Sequence, residues 1–257
     1  MSALRHVPLL RPRSLVLDPH KMMQVCATCD ARAHSVCNAV PDRDIDRLAR
    51  AATPVQAIAG ETLINEGDPA EHFFNISAGT VKLFKALPDG RRQILGFAGT
   101  GHFLGLGAAT TYPFSAEAVD QISACRFTRS RLAGLLEDFP SMEKRLLAMA
   151  GNELVAAQEQ MLLLGRKTAR ERLASFLVAR AHLHQIECPA TAQPRGALHV
   201  SLPMTRGDIA DYLGLTIETV SRTLTRLRTD RLIDLPTTSE VVIPNLAALE
   251  SVASGEA

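Results

Sequence analysis

The sequence predicts an α+β protein in which a β-rich half is followed by a long helix and then by a separate helical module. From about residue 53 to residue 131, glycine-containing turns separate short apolar runs. This pattern is typical of a compact antiparallel β-barrel or β-roll. Beyond Pro140 the glycines become rare and apolar residues recur at helical spacing, which marks the change to helices.

The composition is that of a folded globular protein. The 257 residues are 46% hydrophobic and 21% charged, and 28 basic against 27 acidic side chains leave a formal net charge of +1. This balance argues against disorder, and the net charge alone suggests no nucleic-acid partner. No apolar run approaches the roughly 18 residues that a membrane span needs, and the first residues lack the pattern of a signal peptide. We therefore expect a cytoplasmic protein with no membrane partner.

The five cysteines are unevenly distributed. Cys26, Cys29 and Cys37 are close together in the sequence, whereas Cys125 and Cys188 stand alone. In a reducing compartment such a group indicates metal ligation or redox chemistry rather than a disulfide framework. A [4Fe-4S] cluster takes four thiolates, so its fourth ligand would be Cys125 or Cys188.

Structural zinc is the alternative reading of the same cysteines. The three grouped thiolates together with His34 or Cys125 would satisfy tetrahedral Zn²⁺. Spacing alone does not separate zinc from an iron-sulfur cluster.

The helix predicted from about Pro140 to Gly165 carries an a/d pattern over three heptads. Packing against its own β-domain is one interpretation. We favour the seam of a two-fold homodimer, because a single helix between two domains has a second face to bury. The predicted dimer-interface residues are Leu147, Ala150, Leu154, Ala157, Met161 and Leu164.

The region from Ser201 to Arg228 has the layout of a helix-turn-helix. Thr205 and Asp208 form a capping-box-like helix start, Gly214 supplies the turn, and Thr216 caps the next helix. A buried stripe is expected in that second helix at Ile217, Val220, Leu224 and Leu227.

Polar side chains on the other face of this helix point to base reading. Arg222 suits guanine O6 and N7, Glu218 suits cytosine N4, and Ser221 suits a thymine edge. Arg226, Arg228 and Arg231 lie where phosphate contacts are expected. A packed helical pair with solvated charges would not explain this agreement of caps, turn and outward residues. The predicted DNA-binding residues are Thr205, Arg206, Thr216, Glu218, Thr219, Ser221, Arg222 and Arg226.

The last part of the chain predicts a β-hairpin, formed by residues 232–235 and 241–243 around a polar turn. A hairpin after the second helix makes the module a winged helix-turn-helix.

Three segments resemble the CRP/FNR superfamily of transcription regulators, and within it the FNR oxygen sensors. The run from Gly60 to Leu83 resembles the opening of a cyclic-nucleotide-binding-like β-roll, and the run from Leu163 to Leu177 resembles the join between a dimerisation helix and a DNA-binding domain. The run from Glu218 to Arg222 fits the Glu-x-x-Ser-Arg signature of FNR recognition helices, which implies double-stranded DNA with TTGAT-type palindromic sites.

The resemblance also assigns the domains. It implies an N-terminal tail (1–25), a cysteine-rich cluster-binding segment (26–46), a β-roll sensor domain (47–138), a long dimerisation helix (139–166) and a C-terminal winged helix-turn-helix (167–257).

Cyclic AMP is not expected as the effector. The cAMP-binding members grip the ribose with a glutamate and the phosphate with an arginine, and the corresponding positions here are Leu106 and Phe114. Burying a phosphate against these apolar side chains would be severely unfavourable.

The resemblance selects Cys125 as the distant ligand, so that Cys26, Cys29, Cys37 and Cys125 would hold a [4Fe-4S] cluster and Cys188 would be an unligated thiol. Seven residues separate Cys29 from Cys37; enterobacterial FNR proteins have five, and the longer form resembles alphaproteobacterial relatives. The family implies that oxygen destroys the cluster and weakens the dimer.

At Ala157 enterobacterial FNR proteins have an acidic residue. Its absence here favours a dimer that depends less steeply on the cluster. The expected function is transcription activation under low oxygen, with RNA polymerase contacted through the loop at Leu87 to Arg92.

Other functions remain as alternatives. The regulator could instead respond to nitric oxide or thiol redox chemistry, or hold structural zinc. A cyclic-nucleotide module without DNA binding is disfavoured by the helix-turn-helix. No enzymatic motif is present in the sequence, and no enzyme is expected.

Overall fold

The computed structural model describes residues 13–14, 19–106, 110–187 and 197–256. The chain forms two compact units, Met1–Arg91 with Leu95–Glu153 and Arg92–Ile94 with Leu154–Ala257. The predicted α+β class, with a β-roll, a long helix and a winged helix-turn-helix, is confirmed. No helix in the described ranges has the length and apolarity to cross a membrane. Cys188 lies outside the described residues.

The first unit opens with a helical cap. A short strand β1 (Arg13–Ser14) and helix α1 (Pro19–Ala27) come first. Three 3-10 helices (Asp30–His34, Val36–Ala39, Asp42–Asp44) and helix α2 (Ile45–Ala51) follow.

The boundary expected between a tail at 1–25 and a cysteine segment at 26–46 is wrong, because α1 runs across it. Met22 and Cys26 are one helical turn apart, and both are buried. Their shared apolar face holds α1 on the rest of the unit.

The β-roll follows, as the glycine-punctuated pattern predicts. Its strands are β2 (Ala52–Ala57), β3 (Thr62–Ile64), β4 (His72–Ala78), β5 (Val81–Ala86), β6 (Arg92–Ala98), β7 (Phe103–Leu104), β8 (Ser115–Ala118) and β9 (Ile122–Thr128). One sheet has the order β1-β2-β9-β4-β7 and the other β3-β8-β5-β6. The interior is filled by apolar side chains such as Ile76, Val81 and Ile122, none of which is exposed.

Two helices follow the β-roll. Helix α3 (Arg129–Asp138) is capped by Thr128, whose hydroxyl accepts from the amide of Arg131. Helix α4 (Pro140–Arg166) then runs for 27 residues, in agreement with the helix predicted from Pro140 to Gly165. Pro140 suits the first helical position because its missing N–H has no partner there anyway.

The second unit is the winged helix-turn-helix. It contains α5 (Ala169–Glu187), β10 (Leu198–Ser201), α6 (Arg206–Leu213), α7 (Ile217–Thr229), β11 (Asp234–Thr237), β12 (Glu240–Ile243) and α8 (Leu246–Ser254). Strands β10, β12 and β11 form one antiparallel sheet in that order, so the predicted hairpin is present. The core includes Leu173, Ile209, Leu224 and Leu249, all fully buried or nearly so.

Candidate cofactor cavity and nucleic-acid interface

A cavity of about 280 Å³ in the first unit is lined by four cysteines, Cys26, Cys29, Cys37 and Cys125. These are the four that sequence reasoning assigns as cluster ligands. All four are free thiols. The fold therefore brings Cys125 to the same cavity as the three cysteines grouped near the start of the chain.

Each cysteine reaches the cavity from a different element. Cys26 is in the last turn of α1, Cys29 precedes the first 3-10 helix, and Cys37 lies in the second. Cys125 is on β9, opposite Pro54 of β2. Three of the four cysteines thus belong to the helical cap and one to the sheet.

The thiols of this cavity are in an environment that disfavours the anion. Burial, with smaller contributions from Cys37 and Cys29, raises the pKa of Cys26 to about 12. Burial also raises the pKa of Cys37 to about 11, and it raises that of Cys125. Thiolates here need a compensating cation, because desolvated and mutually repelling anions are unfavourable.

Two polar residues that sequence reasoning missed lie at the same cavity. The guanidinium of Arg32 donates to the carboxylate of Asp42 and to the carbonyl of Val40, both at 2.6 Å. Its charge offsets a small part of the rise that burial causes in the pKa of Cys26 and Cys37. The amide of Asn75 donates to Cys37 Sγ at 3.8 Å. Asn75 lies between the apolar residues Phe74 and Ile76 of β4, and this polar residue in an apolar run was the available signal.

His34, considered as a zinc ligand, is exposed and is not among the cavity residues. In the described part of the chain, no three Cys, His, Asp or Glu side chains are grouped so that they could share one metal ion. The four cysteines that sequence reasoning assigns as ligands all line the cavity. Thiolates on one zinc must converge to Zn–S distances of about 2.3 Å, whereas a cluster presents a separate iron to each cysteine.

The cysteine segment contacts the start of α4 within the first unit. The hydroxyl of Ser141 donates to the carbonyl of Ala39 at 2.9 Å, and the guanidinium of Arg145 donates to the carbonyl of His34 at 3.3 Å. Met142 and Leu146 are buried in the same apolar core as Cys26 and Cys37. One face of α4 is therefore fixed to the chain that carries the cysteines.

The other face of α4 is uncovered. Leu147, Leu154 and Met161 are 75%, 60% and 64% exposed, and Ala150 and Ala157 are exposed with them. Leu164 differs from this set, since it is half-buried and its side chain lies against Gly214. Large apolar side chains in a row on one helix face are typical of a protein interface.

The helix-turn-helix has the predicted local geometry. Thr205 Oγ1 accepts from the amide of Asp208 at 3.0 Å, while the Asp208 carboxylate accepts from the amide of Thr205 at 3.1 Å. This is a complete capping box. Gly214 ends α6 with φ +61°, a conformation that glycine adopts without strain. Thr216 then caps α7 by accepting from the amide of Thr219 at 3.2 Å.

Helix α7 presents its polar face outward. Glu218, Ser221, Arg222 and Arg226 are exposed, and the buried stripe contains Val220, Leu224 and Leu227. The expectation that Ile217 is also buried is wrong, as this side chain is 52% exposed. Ile217 is the first residue of α7, and the buried side of the helix begins with Val220.

Charged residues of the helix-turn-helix have shifted pKa values. The backbone amide of Glu218 and the Thr216 hydroxyl lower the pKa of the Glu218 carboxyl, and Arg222 adds to this effect. Arg222 lies one helical turn from Glu218, on the same face. Burial lowers the pKa of Arg206, and its Nη1 is buried without a hydrogen-bond partner in the described residues.

The residues at the expected cyclic-nucleotide anchor positions are packed as apolar side chains. Leu106 packs against the core that contains Cys26 and Cys37. Phe114 packs against the interior of the β-roll.

A β-roll followed by a winged helix-turn-helix defines a class of DNA-binding regulators. Residues 171–252 match the Crp-like helix-turn-helix domain, and residues 54–139 match the cyclic nucleotide-binding domain. The chain belongs to the CRP/FNR family of transcription regulators. The resemblance expected from the sequence is thereby confirmed, and so is the expectation that the chain is not an enzyme, since this family is not enzymatic.

The chain is similar in sequence to named transcription activators and in structure to a solved regulator. The chain is 42% identical over 210 residues to the transcriptional activatory protein AadR of Rhodopseudomonas palustris, covering 81% of this chain and 85% of AadR. It is 34% identical over 224 residues to the transcriptional activator protein FnrL of Cereibacter sphaeroides, covering 87% and 90%. The structure of FixK2 from Bradyrhizobium japonicum superposes with a TM-score of 0.69 at 36% identity, covering 78% and 96%. Regulators of this family bind DNA through the helix-turn-helix and are dimeric.

Proposed function

We propose that this protein is a transcription activator that senses oxygen through a [4Fe-4S] cluster and binds TTGAT-type palindromes as a homodimer. The observation that carries the proposal is the single cavity lined by all four predicted cysteine ligands. The relatives named as transcriptional activators support the direction of regulation.

The cavity suits such a cluster. Cys26, Cys29, Cys37 and Cys125 would each ligate one iron, and the cationic iron would offset the cost of holding thiolates in a buried site. When bound, the cluster supplies a centre that reacts with oxygen. Arg32 carries a further positive charge at the cavity wall.

The cysteine segment would transmit the state of the site to α4. Three of the proposed ligands lie in the segment whose carbonyls accept from Ser141 and Arg145. When the cluster holds the cysteines, the cysteine segment is fixed and keeps the first turns of α4 in one position. When the cluster is lost, only local contacts restrain the segment, so α4 loses part of its support.

The exposed stripe of α4 would form the dimer seam. Pairing Leu147, Ala150, Leu154, Ala157 and Met161 with the same residues of a second copy would bury side chains that are exposed in the monomer. Ala157 brings no carboxylate to this seam, so we expect measurable dimerisation of the apoprotein as well.

Dimerisation would serve DNA recognition. Two α7 helices would enter successive major grooves, about 34 Å apart, with Glu218, Ser221 and Arg222 at base edges and Arg226 at phosphate. The Arg206 guanidinium would donate a hydrogen bond to a phosphate oxygen.

This function also implies a contact with RNA polymerase, a location in the cell and the absence of a cyclic-nucleotide effector. The β5–β6 turn, where Leu87 is exposed, would contact RNA polymerase. The protein would act in the cytoplasm, where bacterial DNA lies. Leu106 and Phe114 offer no anion partner, so we propose that no cyclic nucleotide serves as effector.

Anaerobic purification tests the proposal. Iron, acid-labile sulfide and zinc are measured per chain, and DNA affinity is measured before and after exposure to air. We expect about four irons and four sulfides, a visible absorbance that bleaches in air, and a parallel loss of DNA affinity. One zinc per chain with no sulfide would contradict the proposal and favour a structural zinc site instead.

A further inference from the structure

Asn75 is a buried polar residue that the proposed function leaves unexplained. It lies on β4 and is 1% exposed. Its Nδ2 donates to Cys37 Sγ at 3.8 Å, and its Oδ1 has no hydrogen-bond partner among the described residues. Its neighbours in the strand, Phe74 and Ile76, are buried and apolar.

The register of the sheet directs this amide into the cavity. Asn75 pairs with Cys125 in the antiparallel β4–β9 ladder, and paired residues point to the same face of a sheet. Both residues line the cavity. The amide therefore contacts Cys37 of the helical cap and faces the same cavity as Cys125 of the sheet.

A buried amide with an unsatisfied acceptor costs free energy, so its presence in an apolar core calls for a functional explanation. We infer that Asn75 is a positioning residue that holds Cys37 by an N–H···S hydrogen bond and raises the midpoint potential of the cluster. This inference rests on the proposed function, since it requires the cluster.

The direction of the expected change in midpoint potential follows from the charge of the cluster. A donor on a thiolate sulfur draws electron density away from the iron and stabilises the more negative, reduced state. Removing the donor should therefore shift the midpoint potential to a more negative value. It should also strengthen the bond between iron and the Cys37 sulfur.

Three variants of the full chain test this inference after anaerobic cluster loading. Asn75→Leu removes the donor at similar volume, and Asn75→Asp keeps the shape but replaces the N–H donor by an anion. Ser77→Ala is the matched control, because Ser77 lines the same cavity and has no hydrogen bond to a thiol in the described residues. The midpoint potential is measured with dithionite, which passes one electron to the cluster, and iron–thiolate stretching is measured by resonance Raman spectroscopy.

We expect a more negative potential and a higher iron–thiolate stretching frequency for Asn75→Leu, a larger potential shift for Asn75→Asp, and no change for Ser77→Ala. Folded Asn75 variants that retain less than half of the sulfide in Ser77→Ala would also support the positioning role. Equal potentials and frequencies in all loaded proteins would overturn the inference alone, as would failure of both Asn75 variants to fold. A wild-type protein without sulfide would overturn the proposed function and the inference together.

Discussion

The guanidinium of Arg172 donates a 2.9 Å hydrogen bond to the carbonyl oxygen of Leu213, the last residue of α6. The same group donates at 2.9 Å to the carbonyl of Leu164, in the last turn of α4, and to that of Lys167, the residue after α4. Carbonyls at helix C-termini have no partner within the helix and carry partial negative charge. One arginine therefore joins the ends of two helices in the DNA-binding unit.

Replacing Arg172 by methionine should destabilise this unit. Hydrogen bonds from a charged donor contribute about 1.5 to 3 kcal/mol each, and the three share one partly buried group, so we expect a loss of about 3 kcal/mol. Urea unfolding followed by circular dichroism measures it. Arg222→Ala is the control, because Arg222 is exposed and its loss should leave the free energy of unfolding unchanged. Equal stability of the Arg172 variant and wild type would contradict the prediction.

Arg222→Ala should weaken specific DNA binding. A bidentate arginine–guanine contact contributes about 1 to 3 kcal/mol of discrimination, which corresponds to roughly 5-fold to 150-fold in affinity. Fluorescence anisotropy with a TTGAT palindrome and with a copy altered at the guanine measures the ratio. Arg228 lies at an expected phosphate contact, so Arg228→Ala should instead lower the affinity for both DNAs by the same factor. A variant of Arg222 that still distinguishes the two DNAs would count against this role.

Cys125→Ala should abolish the cluster, whereas Cys188→Ala should retain it. Cys125 lines the cavity with the other three cysteines, and a cluster with one open iron site is easily lost. Acid-labile sulfide per chain after anaerobic reconstitution gives the answer. Full sulfide content in Cys125→Ala would remove Cys125 from the ligand set.

Leu154→Asp should prevent dimerisation. Leu154 lies in the middle of the exposed stripe of α4, and a carboxylate there would face its symmetry mate near a two-fold axis. Sedimentation velocity of the cluster-loaded protein should change from dimer to monomer. Asn152→Asp adds the same charge at an exposed position off the heptad stripe, so this control should remain dimeric.

Ser141→Ala combined with Arg145→Ala should reduce the coupling between cysteine segment and dimer. Each lost hydrogen bond corresponds to about 1 kcal/mol, so the ratio of dimerisation constants between loaded protein and apoprotein should fall several-fold. Lys144→Ala, also exposed on α4, is the control. A ratio identical to that of the wild type would mean that the two hydrogen bonds carry no signal.

Local sequence signals predicted the DNA-binding unit closely. The helix caps and the turn involve hydrogen bonds between residues at most four positions apart, so short segments of sequence predict them. These are the caps at Thr205 with Asp208 and at Thr216, and the turn at Gly214. Ile217 was the exception. Helical spacing alone places it on the stripe, but the unit does not extend far enough to cover the first residue of α7.

The cavity was predicted in part. The resemblance selected four cysteines, yet only the β4–β9 pairing brings Cys125 beside Asn75. Such a relationship depends on strand register, which no short segment of the sequence specifies. The helix α1 was missed for a similar reason: its stability comes from burying Met22 and Cys26 against distant residues rather than from local propensity.

The hydrogen bonds from α4 to the cysteine segment end on main-chain carbonyls, those of His34 and Ala39. Every amino acid supplies the same carbonyl, so α4 responds to the path of this loop and not to its side chains. A substitution between Cys29 and Cys37 that keeps both 3-10 helices and the hydrogen bonds of Arg32 and Ser35 should therefore leave these two contacts with α4 in place. Changes in loop length, by contrast, would move the carbonyls and alter the threshold at which the regulator responds.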